Sequence, residues 1–589
     1  MKNLIVLALF LWFPGMVVIL RNALEDTLLW QLKEYRLDRM TAHMKDTHEP
    51  QFRGSKNMIL KITLLLLSFA FFVLPSNLFL LIPIIIYYIY TLDFIHTFHL
   101  IKKKILKRPR ISPRNILIIL LFLAVLIIII MVMFKYFSLI IADNSNNVLI
   151  KETLIQSLTS LFVEKHPVIG APIIPITTAF IFINFIIILL CEILEPLIVF
   201  LLVILTAPIA TIKRELTILK AKIKIMKFNN LKIIGITGSY GKTSTKEILA
   251  KILSTKYNVV ATPGNVNTAI GIAQTILNKI NQKTEVFIVE MGAYRKGEIK
   301  KAAKLTPPDI SIITNIGKSH LSIFKTVQNI AKTKFEIIEQ LKNDGIAILN
   351  ADNSHTYAMK DKIDKKTVLY SLDEEKEFEP DQYFVKIKNI EESTNESSFT
   401  VELKNNQENM ATNIIGSHNL KNLAPAIAAA IHLGLSSKQI KDILKDAILK
   451  TSHFQIYNGK KNTKIIDDSY NTNPDGFGIA LEHLKQLENK TRILITKGIP
   501  EIGKEIQYIY ENLSKQIIEI CDVLITSDQV LCEEISKQDT NELVCHLVKD
   551  THDMNENIKK YIKKNTVFLI EGRVNPETIK LLKKTENEN

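Results

Sequence analysis

The sequence predicts an N-terminal α-helical transmembrane region followed by two α/β domains, a central one of P-loop type and a Rossmann-like C-terminal one. Three observations predict it. Residues 1–212 hold most of the long apolar runs of a chain that is 47% hydrophobic overall. From residue 231 onward, short β-branched stretches alternate with helical ones, the pattern of a parallel sheet covered by helices. Between the first such strand and helix lies GITGSYGKTST (235–245), a glycine turn whose backbone N–H groups and helix N-terminus attract phosphate. The boundaries read as 1–212 membrane region, 213–230 basic linker, 231–450 central domain and 451–589 C-terminal domain.

Apolar segments near 4–20, 59–75, 78–94, 115–134, 171–191 and 195–211 approach the length of about 20 residues that crosses a bilayer. No small-x-small cleavage site follows the first, so it reads as a retained span rather than a signal peptide. The loop 102–114 carries seven Lys/Arg and no acid, and 21–57 also carries seven. Both belong in the cytosol, as does a nucleotide loop. Five crossings with an external N-terminus satisfy all three, leaving 195–211, with Glu192 and Glu195 at its start, in the interface or re-entrant. The sequence thus predicts a multi-pass protein of a bacterial cytoplasmic membrane with cytosolic catalytic domains. The stretch 213–227 is basic and amphipathic, suited either to a lipid surface or to a solvated linker helix. The net charge of +15 sits largely beside apolar segments and forms no aromatic-studded basic patch, so no nucleic-acid partner is expected. Cys191, Cys521, Cys532 and Cys545 have no zinc-like spacing and read as free thiols.

In the soluble half, LKIIGIT (231–237) is the strand, Gly238 and Gly241 bracket the turn, and a helix starts at Thr243. Lys242 would reach the terminal phosphates and the Thr243 hydroxyl would bind Mg²⁺. The strict pattern wants a glycine at 236, where Ile236 stands. EVFIVEMGAY (285–294) is a buried strand with Glu290 at its C-terminal tip, where α/β sheets place ligands. IITNIGKSHLSIF (312–324) runs a strand into a loop with His320. VQNIAKTKFEIIEQL (327–341) is a helix bearing Lys332, Lys334 and Glu336. NADN (350–353), GSHNLKNLAPAIAAA (416–430) and DDSYNTNP (467–474) follow.

Taken in order with NVNTAIG (265–271), these motifs resemble the Mur ligase family over about 240 residues, and within it the ligase adding D-alanyl-D-alanine to UDP-N-acetylmuramoyl-tripeptide. The family's loop reads TGxxGKT, which accounts for Ile236. The resemblance implies a P-loop Mur-ligase central domain and an ATP-dependent peptide ligase of peptidoglycan precursor synthesis, working through an acyl phosphate. It implies that Gly238, Ser239, Gly241, Lys242, Thr243 and Ser244 cradle ATP. His418, Asn419 and Asn422 match the helix start that contacts adenine, and Asp468 falls where the C-terminal domain reaches the nucleotide. It implies two Mg²⁺ ions, held through Thr243, Glu290, His320 and a carbamylated Lys334. Lys242, Lys334 and His320 are the implied catalytic residues. Asn265, Asn267 and Thr268 match the loop facing the muramoyl substrate.

The chain departs from the family pattern on the substrate side. The membrane region stands where a UDP-gripping domain is expected. TSHFQIY (451–457) lacks the usual Arg, and TKGIPEIGKE (496–505) and IEGRVNPE (570–577) replace the C-terminal landmarks, with Arg573 a candidate substitute. A ligase acting on a lipid-linked or other carboxylate–amine pair is the alternative. A transporter or sensor driven by a P-loop ATPase is the alternative of another class, but it has no use for the His320, Lys334 and DDSYNTNP set.

Overall fold

A computed structural model describes residues 2–32, 40, 63, 81–102, 112–142 and 173–583. Within the last range 319–320, 394–395, 405, 415–416, 447–454, 470–471, 473, 488–490, 500–504 and 539–542 are excepted. The chain divides into two compact units, Met1–Lys213 and Arg214–Asn589.

The first unit is helical. Its described helices are Lys2–Leu32, Leu81–Lys102, Pro113–Ala142 and the N-terminal part of Ile173–Ile225. Trp12, Ile19, Trp30, Tyr90, Ile118, Phe122 and Val199 form its core. Among the described residues, two stretches, Pro113–Val132 and Ile186–Ile225, are long and apolar enough to cross a membrane by length and composition. The expected segments at 59–75 and the loop at 103–111 lie outside the described residues. One expectation is corrected. Segments 171–191 and 195–211 are not two elements with a break, because Ile173–Ile225 is one continuous helix of 53 residues with Pro196 and Pro208 inside it. Nor are Glu192 and Glu195 at a wet boundary: both are buried in this unit, and the Tyr90 hydroxyl donates to Glu192 at 2.7 Å.

In the second unit the helix tail supplies Ala221 and Ile225 to the core of the α/β domain. Lys224 donates to the carbonyls of Ile276 and Leu277, both at 2.9 Å. Its opposite face leaves Leu216, Leu219, Ile223 and Met226 exposed. The 213–227 stretch is therefore helix, with one side used for packing.

The central sheet has nine strands: β1 (Lys232–Thr237), β2 (Val259–Ala261), β3 (Val286–Glu290), β4 (Ile310–Ile313), β5 (Ile346–Asn350), β6 (Lys366–Ser371), β7 (Tyr383–Glu392), β8 (Ser397–Leu403) and β9 (Asn406–Thr412). Their order is β2-β3-β1-β4-β5-β6-β7-β8-β9. Pairing is parallel as far as β7, then antiparallel through β8 and β9. β1, β3, β4 and β5 are almost wholly buried runs rich in Ile, Val and Leu, as strands covered on both faces must be. Helices Lys242–Leu253 and Ser417–His432 cover one face; Ala269–Lys279, Glu298–Leu305 and Val327–Phe335 cover the other.

The C-terminal sheet has six: β10 (Gln455–Asn458), β11 (Lys464–Asp468), β12 (Thr491–Thr496), β13 (Val523–Thr526), β14 (Val544–Leu547) and β15 (Thr566–Glu571), in the order β10-β11-β15-β12-β13-β14. Only β10 is antiparallel to its neighbour. Helices Pro474–Lys485, Ile506–Ile520 and Gln529–Ser536 pack on one face, Thr551–Lys560 and Pro576–Leu582 on the other.

Candidate active site

β1 lies between β3 and β4, with Ile236 opposite Glu290 and Thr237 opposite Ile313. This register puts the phosphate turn, Glu290 and the loop after β4 at one sheet edge. The turn needs its glycines. Gly241 caps the helix Lys242–Leu253 at φ 79°, a region that costs other residues about 1–2 kcal/mol. A Cβ there would strike Asn422 Oδ1, and one on Gly238 would strike Thr314 Oγ1. The turn is thus closed down onto Asn422 and Thr314 with no room for side chains.

Lys242 folds back over the turn and donates to Gly238 O at 2.8 Å and Ser239 O at 3.3 Å. Burial holds its amine below the usual lysine range, against the pull of Glu290. Ser239 Oγ donates to Gly317 O at 3.2 Å and accepts from Gly317 N at 3.0 Å, clipping the turn to the loop after β4. That loop is braced in turn by the NADN motif. Asn350 Nδ2 donates to Thr314 O at 2.9 Å, and Asn353 Nδ2 to Asn315 Oδ1 at 3.0 Å.

Glu290 is the centre of the site. It is 1% exposed and accepts three hydrogen bonds from side chains: from Thr243 Oγ1 and Lys246 Nζ, both at 2.9 Å, and from Asn267 Nδ2 at 3.2 Å. Burial raises a carboxylate's pKa, but Lys242 and Lys246 outweigh it, and Glu290 sits below the usual range. Lys246, 2% exposed, also donates to Gly264 O, which ties the loop before Asn265 to the site. Thr268 caps the helix Ala269–Lys279 by accepting from Gly271 N at 3.4 Å. Asn265 is exposed at the loop tip.

Lys334 is 4% exposed on the helix Val327–Phe335. Burial and the Lys242 charge bring its amine down to about 7, against the pull of Glu290, Glu336 and Glu298. Glu336 is spoken for elsewhere: its carboxylate accepts from Gly297 N at 2.6 Å and Lys300 N at 3.0 Å, capping the helix Glu298–Leu305.

The structure thus brings together Gly238, Ser239, Gly241, Lys242, Thr243, Glu290, Asn267, Lys334 and Asn422. Asn419 is buried on the same helix as Asn422, and Ser244 is buried in the phosphate-loop helix. His320 and the side chain of His418 lie outside the described residues. Asp468 ends β11 and is paired in register with Glu571 of β15. Two residues escaped the sequence reading. Lys246 stands one helical turn after Lys242, a spacing that puts both on one face. Glu571 ends TVFLIE as Glu290 ends VFIVE.

The hydroxyl of Thr243 and the carboxylate of Glu290 form an adjacent pair of oxygen donors, which suits Mg²⁺, a hard cation that otherwise keeps waters and phosphate oxygens. No cluster of three His, Cys, Asp or Glu occurs among the described residues. The residues present therefore fit one partly protein-held Mg²⁺.

Residues 236–430 match the model of the Mur ligase middle domain. The chain is 29% identical over 300 residues to the UDP-N-acetylmuramoyl-tripeptide–D-alanyl-D-alanine ligase of Bacillus subtilis (strain 168), covering 51% of this chain and 61% of that protein. It is 31% identical over 280 residues to the ligase of the same name from Buchnera aphidicola (subsp. Acyrthosiphon pisum), covering 48% and 60%. The chain therefore spans about three-fifths of the length of these curated relatives. A crystal structure of the MurF ligase of Thermotoga maritima in complex with ADP superposes with a TM-score of 0.53 at 25% identity. It covers 61% of this chain and 80% of that one. The Mur ligase α/β fold accounts for both sheets of the second unit.

Proposed function

We propose that this chain is an ATP-dependent peptide ligase of peptidoglycan precursor synthesis, joining D-alanyl-D-alanine to the carboxylate of UDP-N-acetylmuramoyl-tripeptide through an acyl phosphate. The observation that carries the reading is the convergence of Lys242, Thr243, Glu290 and a buried Lys334 at one sheet edge. Relatives bearing that activity in their names support it, as does the ADP complex of a structural relative.

The turn amides and the start of the helix Lys242–Leu253 hold the phosphates. Lys242 exchanges its carbonyl partners for the terminal phosphates and neutralises charge during transfer. Thr243 and Glu290 would hold Mg²⁺, which supplies further charge neutralisation at the phosphates; His320 belongs to a second such site. Lys246 and Asn267 keep Glu290 aimed. Asn419 and Asn422, with His418, are the residues assigned to contact the base. Asn265, Asn267 and Thr268 face the muramoyl acid. Lys334, with its amine down to about 7, is substantially unprotonated at neutral pH. That is the form that adds CO₂ to become a carbamate anion, which suits it to a cationic partner.

The first unit is proposed to anchor the ligase in the cytoplasmic membrane, with its catalytic domains on the cytosolic side. The outward residues Leu120, Ile127, Met131, Leu197, Leu201 and Leu205 are all exposed and suit lipid.

The test is turnover. Purified full chain, given ATP, Mg²⁺, UDP-N-acetylmuramoyl-tripeptide and D-alanyl-D-alanine, releases phosphate and yields the pentapeptide mass. Turnover only with another amine or a lipid-linked acid replaces the substrates and keeps the chemistry. Phosphate release without either substrate favours a P-loop ATPase. Recovery of the intact chain in the soluble fraction refutes the anchor.

A further inference from the structure

The C-terminal sheet holds a polar cluster that the phosphate chemistry does not use. β11 and β15 are parallel neighbours, and their last residues, Asp468 and Glu571, are opposite in register. Glu571 is fully buried beside Asp468 and Thr472, and neither of its carboxyl oxygens makes a well-formed hydrogen bond. The hydroxyl of Thr472, four residues past Asp468 and 7% exposed, has none either. A Cβ on Gly572 would lie 3.0 Å from the Thr472 side chain, so Thr472 is held against the end of β15. The charged groups bearing on the two acids are themselves acidic: Asp467 and each other. Burial pushes Asp468 up to about 7 and Glu571 well above the usual range. Both carboxyls are thus held toward their protonated forms.

Buried oxygens without partners bear an uncompensated desolvation cost. The topology says where a partner would come from. The helix after β11, Pro474–Lys485, packs on one face of the sheet, and the helix after β15, Pro576–Leu582, on the other. Adjacent parallel strands whose connections leave to opposite faces open a crevice beyond their carboxyl ends, the usual ligand position in open α/β sheets.

We propose that Asp468, Glu571 and Thr472 receive a primary ammonium group in this crevice, the protonated amine of the acyl acceptor. This rests on the ligase reading for the identity of the amine, though not for the site. An ammonium brings three N–H donors to three groups able to accept, and its positive charge suits a crevice lined by acids. Mg²⁺ fits less well, because it demands near-ideal octahedral oxygen coordination. Asp468 then serves the acceptor rather than the nucleotide that its motif implies.

The test uses the full chain. Methylammonium chloride raises the melting temperature of the C-terminal domain more than tetramethylammonium chloride at equal concentration, because only the former carries N–H donors. Glu571→Gln removes that difference. In turnover, Glu571→Gln raises KM for the amine substrate about 10- to 100-fold, the worth of a hydrogen bond to a charged group, and leaves ADP affinity unchanged. Thr472→Val, a smaller change, moves the same KM in the same direction should Glu571→Gln fold poorly. Equal responses to the two salts overturn the proposal. So does an unchanged amine KM in both variants, or a Mg²⁺-specific rise that Glu571→Gln abolishes. Failure of wild-type ligation sinks the ligase reading alone, since the salt comparison still decides the site.

Discussion

Lys246 offers the sharpest test of how the site is held together. Lys246→Met keeps the length of the side chain and removes its charge. The wild-type pair is buried at both ends, 2% and 1% exposed, with 2.9 Å between Nζ and Oε2. Breaking such a pair from one side costs about 3–5 kcal/mol, because a buried charge is left behind. Here Glu290 keeps donors from Thr243 and Asn267, so the lower end applies, about 3 kcal/mol. For a domain of this size each kcal/mol moves the melting temperature by roughly 2–4 °C, so the expected fall is roughly 6–12 °C by calorimetry. Removing the charge as well, in Lys246→Met/Glu290→Gln, should recover most of it. The pH dependence follows in sign. The Glu290 pKa is lower folded than unfolded, so its ionisation stabilises the fold above about pH 4.3, and that stability is lost as pH falls through the folded value. The gap between wild type and Lys246→Met should therefore narrow in acid. A gap under about 1 kcal/mol at pH 7, or a double variant no more stable than the single one, refutes the reasoning.

Other outcomes are open to measurement. Lys334→Ala should abolish ligation, with partial rescue by a short added carboxylate; full activity removes the carbamate. Gly241→Ala should lose nucleotide binding and at least about 1–2 kcal/mol of stability, because it combines a positive φ with a clash at Asn422. A titration of ADP binding checks it, and wild-type affinity contradicts the turn geometry. For Asp468, pushed up to about 7 against an unfolded value near 3.9, the folded state holds a proton the unfolded state has lost. Stability of the C-terminal domain should fall as pH rises from about 4 to about 7. Glu571→Gln should flatten that slope, since it removes a second buried carboxyl whose pKa is itself held above the usual range.

The catalytic edge was legible because it is local. GSYGKTST, VFIVE and the helix holding Lys334 each announce a strand end or a helix start, and the parallel register does the rest. Asn350 and Asn353 were legible as a motif but not as a role: they brace the loop of Thr314 and Asn315, a partnership across separate strands that no local pattern encodes. The antiparallel extension β7–β9 escaped for the opposite reason. Its residues, YFVKIKNIEE, SSFTVEL and NQENMAT, are mixed in polarity because one edge faces water, and they carry no chemical signature. The wet boundary expected at Glu192 and Glu195 was inferred from the cost of burying charge. The fold instead buries both acids among helices and supplies Tyr90 to one of them, which composition cannot foresee.

The two sheets of the second unit solve opposite electrostatic problems with the same geometry. Each ends a buried apolar strand, VFIVE or TVFLIE, on a glutamate that water does not reach. At β3 the carboxylate is met by Lys246, Thr243 and Asn267 and stays ionised. At β15 it is met by another acid and a hydroxyl, and burial pushes its pKa well above the usual range. The first arrangement is complete without a ligand, and its lysine must share Glu290 with any cation that arrives. The second is incomplete, and its energy falls only when a donor enters the crevice. On the proposed ligase reading, phosphate is handled at one sheet and the amine at the other, and that difference divides the labour between the two domains.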